Sequence, residues 1–199
     1  SNQEGGGVAV CKNSVMTITG GRITSNKAYH GGGMVVRGNS TVYMSGDLTL
    51  YTKAEAEADA AKPESERLGI EEGDVNLAES TGVIAGNTSW NQGGGVYMLS
   101  GANTFSMTNG CINANMCLDQ ATLGSTYNGG GNCNGGGVYC DGGSFTLNGG
   151  HIDDNKASDG GGILGYKATI TINNGYLLRN AVRRNGGAIY SDYSQVTVN

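Results

Sequence analysis

Apolar and polar residues alternate with a period of two in short segments along the whole chain. Segments such as Val8-Ala9-Val10 and Phe105-Ser106-Met107 carry apolar side chains two positions apart, with a single residue between them. This alternation is typical of short β-strands with one buried face, and the Gly and Asn clusters between the segments indicate turns. The pattern therefore predicts an all-β chain built from many short strands.

These segments recur in a fixed order. Each unit begins with Gly-Gly-Gly, or Gly-Gly-Ala in the last unit, and continues through two apolar-x-apolar segments to Ile-x-x-Asn. The triplets begin at Gly5, Gly31, Gly93, Gly135, Gly160 and Gly186. Their spacings of 26, 62, 42, 25 and 26 residues indicate a 26-residue unit with two insertions, at about 47–81 and 116–134.

Aligning the units places apolar residues in columns. The second segment is apolar at both inward positions of every unit: Met16/Ile18, Val42/Met44, Phe105/Met107, Phe145/Leu147, Ile170/Ile172 and Val196/Val198. One unit cannot bury such a face alone, whereas units stacked at ~4.8 Å bury each side chain between its equivalents. We therefore predict a single-stranded right-handed parallel β-helix, a solenoid of about six coils with three strands per coil, forming one domain over residues 1–199.

An asparagine ends the third segment of the units. The pairs are Ile23/Asn26, Ile84/Asn87, Ile112/Asn115, Ile152/Asn155 and Leu177/Asn180. An asparagine recurring at one turn can bond the backbone of its own coil and the amide of the next, so we predict a structural ladder. A leucine-rich repeat also ends in asparagine, but it requires a leucine-like residue five positions earlier, where this chain has Gly21 before Asn26.

The units also resemble a known class of repeats. Residues 93–115, from Gly-Gly-Gly-Val-Tyr-Met to Cys-Ile-Asn-Ala-Asn, and residues 135–155, from Gly-Gly-Gly-Val-Tyr to His-Ile-Asp-Asp-Asn, resemble the repeats of large bacterial and archaeal adhesin-like surface proteins. They are also similar to the GGA-I and F-x-x-N repeats of chlamydial polymorphic outer-membrane proteins, with Ile or Leu in place of Phe. The resemblance covers all the coils, about four-fifths of the chain. It implies a right-handed β-helix displayed outside the cell, and it implies no chemistry.

Composition supports a repetitive fold. The 199 residues include 37 glycines and one proline. Collagen would need glycine at every third position with abundant proline, and a disordered linker would lack the recurrent aliphatic residues. No apolar run approaches the ~20 residues of a membrane span. Since neither end resembles a polar cap, we expect a piece of a longer protein whose export signal and anchor lie elsewhere, or end-to-end contacts between coils.

Charge is concentrated in the first insertion. Residues 53–79 contain nine acidic and three basic residues, a net charge of −6, and the rest of the chain sums to +1. No basic face is available for nucleic acid, so we predict no nucleic-acid partner. The run Ala54–Ala61, followed by Lys62-Pro63, predicts a short helix or a flexible acidic loop. Insertions in solenoids often carry binding functions, although a merely solvated loop is also tolerated.

Metal and cofactor sites are not predicted. The acids around Glu71, Glu72 and Asp74 lack the D-x-D-x-D-G spacing of a calcium loop. The five cysteines, Cys11, Cys111, Cys117, Cys133 and Cys140, include no C-x-x-C pair, which argues against zinc. Cys117 and Cys133 could form a disulfide in an oxidising compartment, and Cys140 is predicted to be a buried thiol.

The ionisable residues give no convincing catalytic group. Asp153-Asp154 could serve a polysaccharide lyase or glycoside hydrolase on a β-helix, but adjacent strand residues point to opposite sides and other coils lack equivalent acids. His30 and His151 are predicted to be surface or turn residues without a Ser or Cys partner in register. Three arginines form a small basic patch: Arg179, Arg183 and Arg184.

The outward position of the first segment carries three tyrosines, Tyr97, Tyr139 and Tyr190. Tyrosines on neighbouring coils would form a strip able to stack on sugar rings or on a protein partner. The more ordinary role of tyrosine on an exposed strand, however, is to pack on its neighbours. The sequence thus favours a non-enzymatic, extracellular or cell-surface adhesin-like β-helix. Such a protein would act as a stiff stalk or as a platform for glycan or host-protein contacts. The alternative function is a carbohydrate-active enzyme on the same scaffold.

Overall fold

The chain forms a parallel β-helix of six coils. The computed structural model describes residues 4–118 and 133–199. We number the coils from each glycine triplet: coil 1 is residues 5–30, coil 2 is 31–92, coil 3 is 93–134, coil 4 is 135–159, coil 5 is 160–185 and coil 6 is 186–199. Strands stack in four parallel sheets, and within each sheet the order follows the coils. This confirms the fold predicted from the repeat.

Sheets I and II hold the two apolar-x-apolar segments, one strand from each of six coils. Sheet I consists of Val8–Val10, Met34–Val36, Val96–Met98, Val138–Asp141, Ile163–Tyr166 and Ile189–Asp192. Sheet II consists of Val15–Ile18, Thr41–Met44, Thr104–Met107, Ser144–Leu147, Thr169–Ile172 and Gln195–Val198. All of these strands pair in the register that the aligned sequence columns predict, for example Phe105 with Phe145.

Sheets III and IV contain five strands each. Sheet III consists of Arg22–Thr24, Val83–Ala85, Cys111–Asn113, His151–Asp153 and Tyr176–Leu178. Sheet IV consists of Lys27–His30, Thr88–Gln92, Met116–Cys117, Lys156–Asp159 and Ala181–Asn185. The prediction of three strands per coil was therefore wrong, because a fourth strand follows the asparagine turn. Its buried positions hold small or polar residues such as Ala28, Ser89 and Ala157, so no apolar alternation marked it.

The interior is a continuous stack of aliphatic and aromatic side chains. Phe105, Phe145 and Ile170 occupy neighbouring layers, each fully buried, and the two phenyl rings stack with centroids 5.5 Å apart. Burying a side chain of this size contributes roughly 1.5–3 kcal/mol, so the stack is the main source of stability. This arrangement confirms the inward columns of the repeat.

The asparagine ladder is also present. The side chain of Asn115 donates to the carbonyl of Ile84 (2.8 Å) and to Oδ1 of Asn155 (3.1 Å). Its own Oδ1 accepts from the main-chain amide of Asn87 (3.0 Å) and from Asn87 Nδ2 (2.9 Å). Asn155 repeats the pattern toward Asn180. The ladder satisfies polar groups along the inner corner where sheet III ends.

The glycine triplets are required by this ladder and by the close stacking of coils. The first glycine of a triplet has a left-handed backbone, as at Gly93 with φ of 63°. A Cβ on the third, Gly95, would lie 2.7 Å from the carbonyl oxygen of Gly137 and 2.9 Å from Nδ2 of Asn115. The third glycine and the asparagine of one coil therefore face each other, and any larger residue would displace the ladder.

Candidate functional site

The first insertion folds over the outer face of sheet III. Its apolar side chains form a second small core with the outward residues of that sheet: Leu48, Val75 and Leu77 of the insertion pack against Val83, Ala85 and Cys111. Arg22 reinforces the contact by donating to the carbonyls of Ala78 (2.9 Å) and Ser80 (2.8 Å). The insertion is thus a packed element of the fold.

The outer part of the insertion contains the predicted helix. Helix α1 spans Lys53–Ala60, and a one-turn 3₁₀ helix follows at Glu64–Glu66. Thr52 caps α1 by accepting from the Glu55 amide, and the Glu55 carboxylate in return accepts from the Thr52 amide. The helix ends before Lys62-Pro63, as predicted from the helix-forming run.

Asp59 organises the segment that follows α1. Its carboxylate, 2 % exposed, accepts from the main-chain amides of Leu68, Gly69 and Ile70 and pairs with Lys62 at 2.9 Å. The amide of Leu68 and then Lys62 hold the pKa of Asp59 well below its ordinary value, because both stabilise the charged form. The Asp59 carboxylate therefore ties residues 68–70 to helix α1, and of the two predicted alternatives the structure shows the short helix.

A cleft opens where the rim of the insertion meets coils 4 and 5. One part, about 240 Å³, is lined by rim residues of the insertion and by outward residues of sheet III: Leu50, Glu72, Gly73, His151, Tyr176, Leu178 and Arg179. An adjoining part of about 260 Å³ extends along the insertion past Asp74, Asn113 and Asp154 and shares Arg179. The rim is held by main-chain bonds, since the Tyr51 amide donates to Asp74 (2.8 Å) and the Gly73 amide to Tyr51 (2.9 Å).

Arg179 is the central cation of the cleft. Its guanidinium donates to both carboxylate oxygens of Asp154, at 3.0 and 3.2 Å, and lies 2.8 Å from Oδ1 of Asp74. The contact with Asp74 is an ion pair. Hydrogen bonding to Asp154 raises the pKa of Arg179, and the arginine stays charged. With Glu72 also on the rim, the cleft carries more carboxylates than cations.

Beneath Arg179 lies a buried histidine–aspartate pair. Nδ1 of His151 is 2.8 Å from Oδ2 of Asp153, and both side chains are almost inaccessible. Oδ1 of Asp153 accepts from the Leu178 amide at 2.9 Å. A carboxylate can only accept a hydrogen bond, so in the tautomer that bonds to Asp153 the hydrogen lies on Nδ1 and Nε2 is left for other contacts. The His151 ring packs against Tyr176, with centroids 4.8 Å apart.

Cys111 lies in register with His151 on the neighbouring strand. The prediction that His151 is a surface residue without a cysteine in register was therefore wrong on both points. Column alignment could have found this pairing, since Cys111 and His151 each precede the inward isoleucine of sheet III. However, burial raises the pKa of the Cys111 thiol to about 12, and the insertion covers it. A protonated, inaccessible thiol is not a nucleophile.

The tyrosines of sheet I pack on their neighbours, which is one of the two interpretations that the sequence allowed. Tyr97 and Tyr139 are 4 % and 7 % exposed and pack on each other beside Val35 and Leu164, and Tyr190 is half-buried. Burial raises the pKa of Tyr139 to about 12. The rings do point outward from sheet I, but other side chains cover them. A partner-binding role for Tyr97, Tyr139 and Tyr190 stays a prediction.

The remaining candidate residues are also engaged. His30, predicted as a surface or turn residue, is half-buried at the end of a sheet IV strand and stacks on Tyr97, with centroids 5.1 Å apart. Of the predicted arginine patch, Arg179 and Arg184 pair with different carboxylates, Arg184 with Asp159. Asp153 and Asp154 likewise face different partners, His151 and Arg179.

The second insertion is closed by a disulfide. Cys117 and Cys133 are bonded, with Cα atoms 5.3 Å apart, as the sequence suggested. Cys11, Cys111 and Cys140 are free thiols, and Cys140 is buried as predicted. The predicted insertion at 116–134 lies partly outside the described residues, at 119–132.

Residues 4–118 and 133–199 contain no group of three His, Cys, Asp or Glu side chains arranged to hold a metal ion. In those same ranges no helix has the length and apolarity needed to cross a bilayer.

No family model, no curated protein and no solved structure matches this chain.

Proposed function

We propose that this β-helix is a non-enzymatic binding protein displayed at the cell surface. In this role the coils form a stiff support, and the first insertion carries the contact surface for a glycan or protein partner. The observation that carries the proposal is the cleft itself. It is built from an insertion packed on sheet III, and its arginine and histidine are already paired with the carboxylates of Asp74, Asp153 and Asp154.

The pairing favours binding over catalysis. A retaining or inverting glycosidase needs two carboxyl groups free to act on substrate, one of them as a proton donor. In the cleft, Asp154 and Asp74 both neutralise Arg179, and Asp153 is engaged by His151 and a main-chain amide. Such a network fixes side chains in place, as a preorganised binding surface requires.

The disulfide supports a site of action outside the cytosol. Disulfides persist in oxidising compartments and are rare in the cytosol of mesophiles. A bond between Cys117 and Cys133 is therefore expected to be intact in the protein isolated from its natural source. Alkylation of free thiols during lysis, followed by mass spectrometry of the peptides, measures this. Recovery of both cysteines in alkylated form would contradict the proposed location.

A polysaccharide panel separates the binding function from the enzymatic alternative. The protein is incubated with neutral, amino and uronic-acid polysaccharides, and the same samples are assayed for retention of the protein and for new reducing ends or unsaturated products. We expect retention by at least one polymer without any released oligosaccharide. Product formation above that of a heat-inactivated sample would overturn the proposal and favour a lyase or hydrolase.

A further inference from the structure

One of the exposed tyrosines, Tyr176, lies in the cleft, away from the sheet I strip. Tyr176 is 57 % exposed, and its ring is held by packing against His151. Leu178 and Leu50, 36 % and 40 % exposed, line the same cleft. An ordered aromatic ring with aliphatic neighbours is the kind of surface on which the C–H face of a sugar ring packs.

The polar groups around Tyr176 select the charge of a ligand. Glu72 is exposed on the rim, and the pairs formed by Arg179 with Asp154 and Asp74 add a further excess of carboxylate oxygens. Carboxylates accept hydrogen bonds from hydroxyl and ammonium groups and repel anions. Because the arginine that lines the cleft is already paired with carboxylates, the cleft favours hydroxyl-rich neutral or cationic ligands over uronic or sialic acids.

The size of the cleft favours a single sugar ring over an extended peptide. Each part is smaller than the roughly 300–1,000 Å³ pockets that enclose drug-sized ligands, so one ring fits better than an extended chain.

We propose that this cleft binds a single neutral or amino sugar residue of a glycan, with Tyr176 as the stacking platform and Glu72 and Asp154 as hydrogen-bond acceptors. This inference rests on the proposed binding function and assigns it a location and a ligand class. Tyr176 and Glu72 are binding residues in this scheme, and Arg179 acts by positioning Asp154.

The test uses isothermal titration calorimetry and saturation-transfer NMR. The probes are methyl glycosides of glucose, galactose, mannose, glucosamine and N-acetylglucosamine, with glucuronic and sialic acid glycosides for comparison. We expect at least one neutral or amino sugar to bind and the acidic sugars to bind at least tenfold more weakly. Tighter binding of the acidic sugars would overturn the inference.

Variants then locate the site. Tyr176→Ala should weaken sugar binding about tenfold or more, Tyr176→Phe should retain it, and Glu72→Gln should weaken it severalfold. Tyr43→Ala is the matched control, because Tyr43 is a strand tyrosine exposed to a similar degree, 51 %, on sheet II. Thermal unfolding checks that each variant is folded. If Tyr176→Ala fails to fold, Tyr176→Gln and Glu72→Gln carry the test.

The outcomes distinguish this inference from the proposed function. Sugar binding that is unchanged in both Tyr176→Ala and Glu72→Gln would overturn the cleft assignment while leaving the binding function in place. Catalytic release of sugar from a polymer would overturn the binding function itself. Absence of binding to every sugar at millimolar concentration would overturn the inference and leave protein partners as the ligands of the proposed function.

Discussion

Removal of one asparagine from the middle of the ladder should destabilise the protein far more than removal of one at its end. In Asn115→Ala, two buried donors of Asn87, its main-chain amide and one Nδ2 hydrogen, lose their acceptor. A buried donor left unsatisfied costs about 1–3 kcal/mol, so we expect a loss of about 2–6 kcal/mol. That is a large part of the ~5–15 kcal/mol stability of a typical protein.

The terminal asparagine provides the matched control. Asn26 is half-buried, and its side chain donates one bond, to Oδ1 of Asn87 at 3.1 Å, which the main-chain amide of Asn26 also contacts at 3.0 Å. Asn26→Ala therefore leaves that oxygen partnered and should lose only about 0.5–1.5 kcal/mol. The two substitutions remove the same atoms, so the difference between their losses of unfolding free energy measures the contribution of the buried bonds of the ladder.

Urea unfolding measures both variants. Far-ultraviolet circular dichroism follows all the coils, and fluorescence of Trp90, the only tryptophan, reports on coil 2. Solenoids can unfold coil by coil, so free energies are compared only where the two transitions coincide. A loss for Asn115→Ala within 1 kcal/mol of that for Asn26→Ala would refute the assignment of the ladder as a buried, coupled network.

Three further predictions concern the glycines, the disulfide and the acidic insertion. Gly95→Ala should lower the free energy of unfolding by about 1–3 kcal/mol or more, because its Cβ would lie 2.7 Å from a backbone oxygen. Gly20→Ala is the control: a Cβ there has nothing closer than 4.0 Å, so the free energy of unfolding should change by less than about 1 kcal/mol. Equal effects of the two substitutions in urea titrations would contradict this. Replacing Cys117 and Cys133 together by Ser removes a cross-link of sequence separation 16 and should lower the free energy of unfolding by about 3 kcal/mol. Reduction of the parent protein by dithiothreitol should lower it by the same amount. An unchanged free energy of unfolding on reduction would argue against an intact bond. Because the folded-state pKa of Asp59 lies below its ordinary 3.8, its contribution is full above that value and is lost as the pH falls below it. Hydrogen exchange at the amides of residues 68–70, corrected for intrinsic rates, should therefore accelerate below about pH 4 in the parent protein. In Asp59→Asn the exchange of these amides should be fast at every pH. Amide protection that persists in the variant would contradict the role of the carboxylate.

The candidate site could be predicted from the sequence only in part. The column that precedes the inward isoleucine of sheet III contains Cys111, His151 and Tyr176, so the alignment of these side chains on one face was available from the repeat. The repeat could not predict where in the fold the first insertion packs. Its packing on this face buries Cys111 and leaves Tyr176 exposed at the edge of a cleft.

The tyrosines illustrate the same division. The alternation in sheet I correctly gave Tyr97 and Tyr139 as outward residues, because side chains of a strand point to alternate faces. Outward does not mean exposed, however, because His30 stacks on Tyr97 and the rings of Tyr97 and Tyr139 pack on each other. Exposure depends on segments far away in the chain, so a period-two pattern cannot predict it.

The sequence by itself determined the scaffold of this protein. In a parallel stack, the neighbours of Phe145 are its own equivalents one coil away, so a repeated pattern specifies the contacts as well as the strands. Only the tertiary structure decided the candidate site, which joins Glu72 and Asp74 of the insertion to Tyr176 and Arg179 of coil 5. Those contacts link segments that are not equivalent and do not repeat, so they follow from how one particular insertion packs and from no periodicity in the chain.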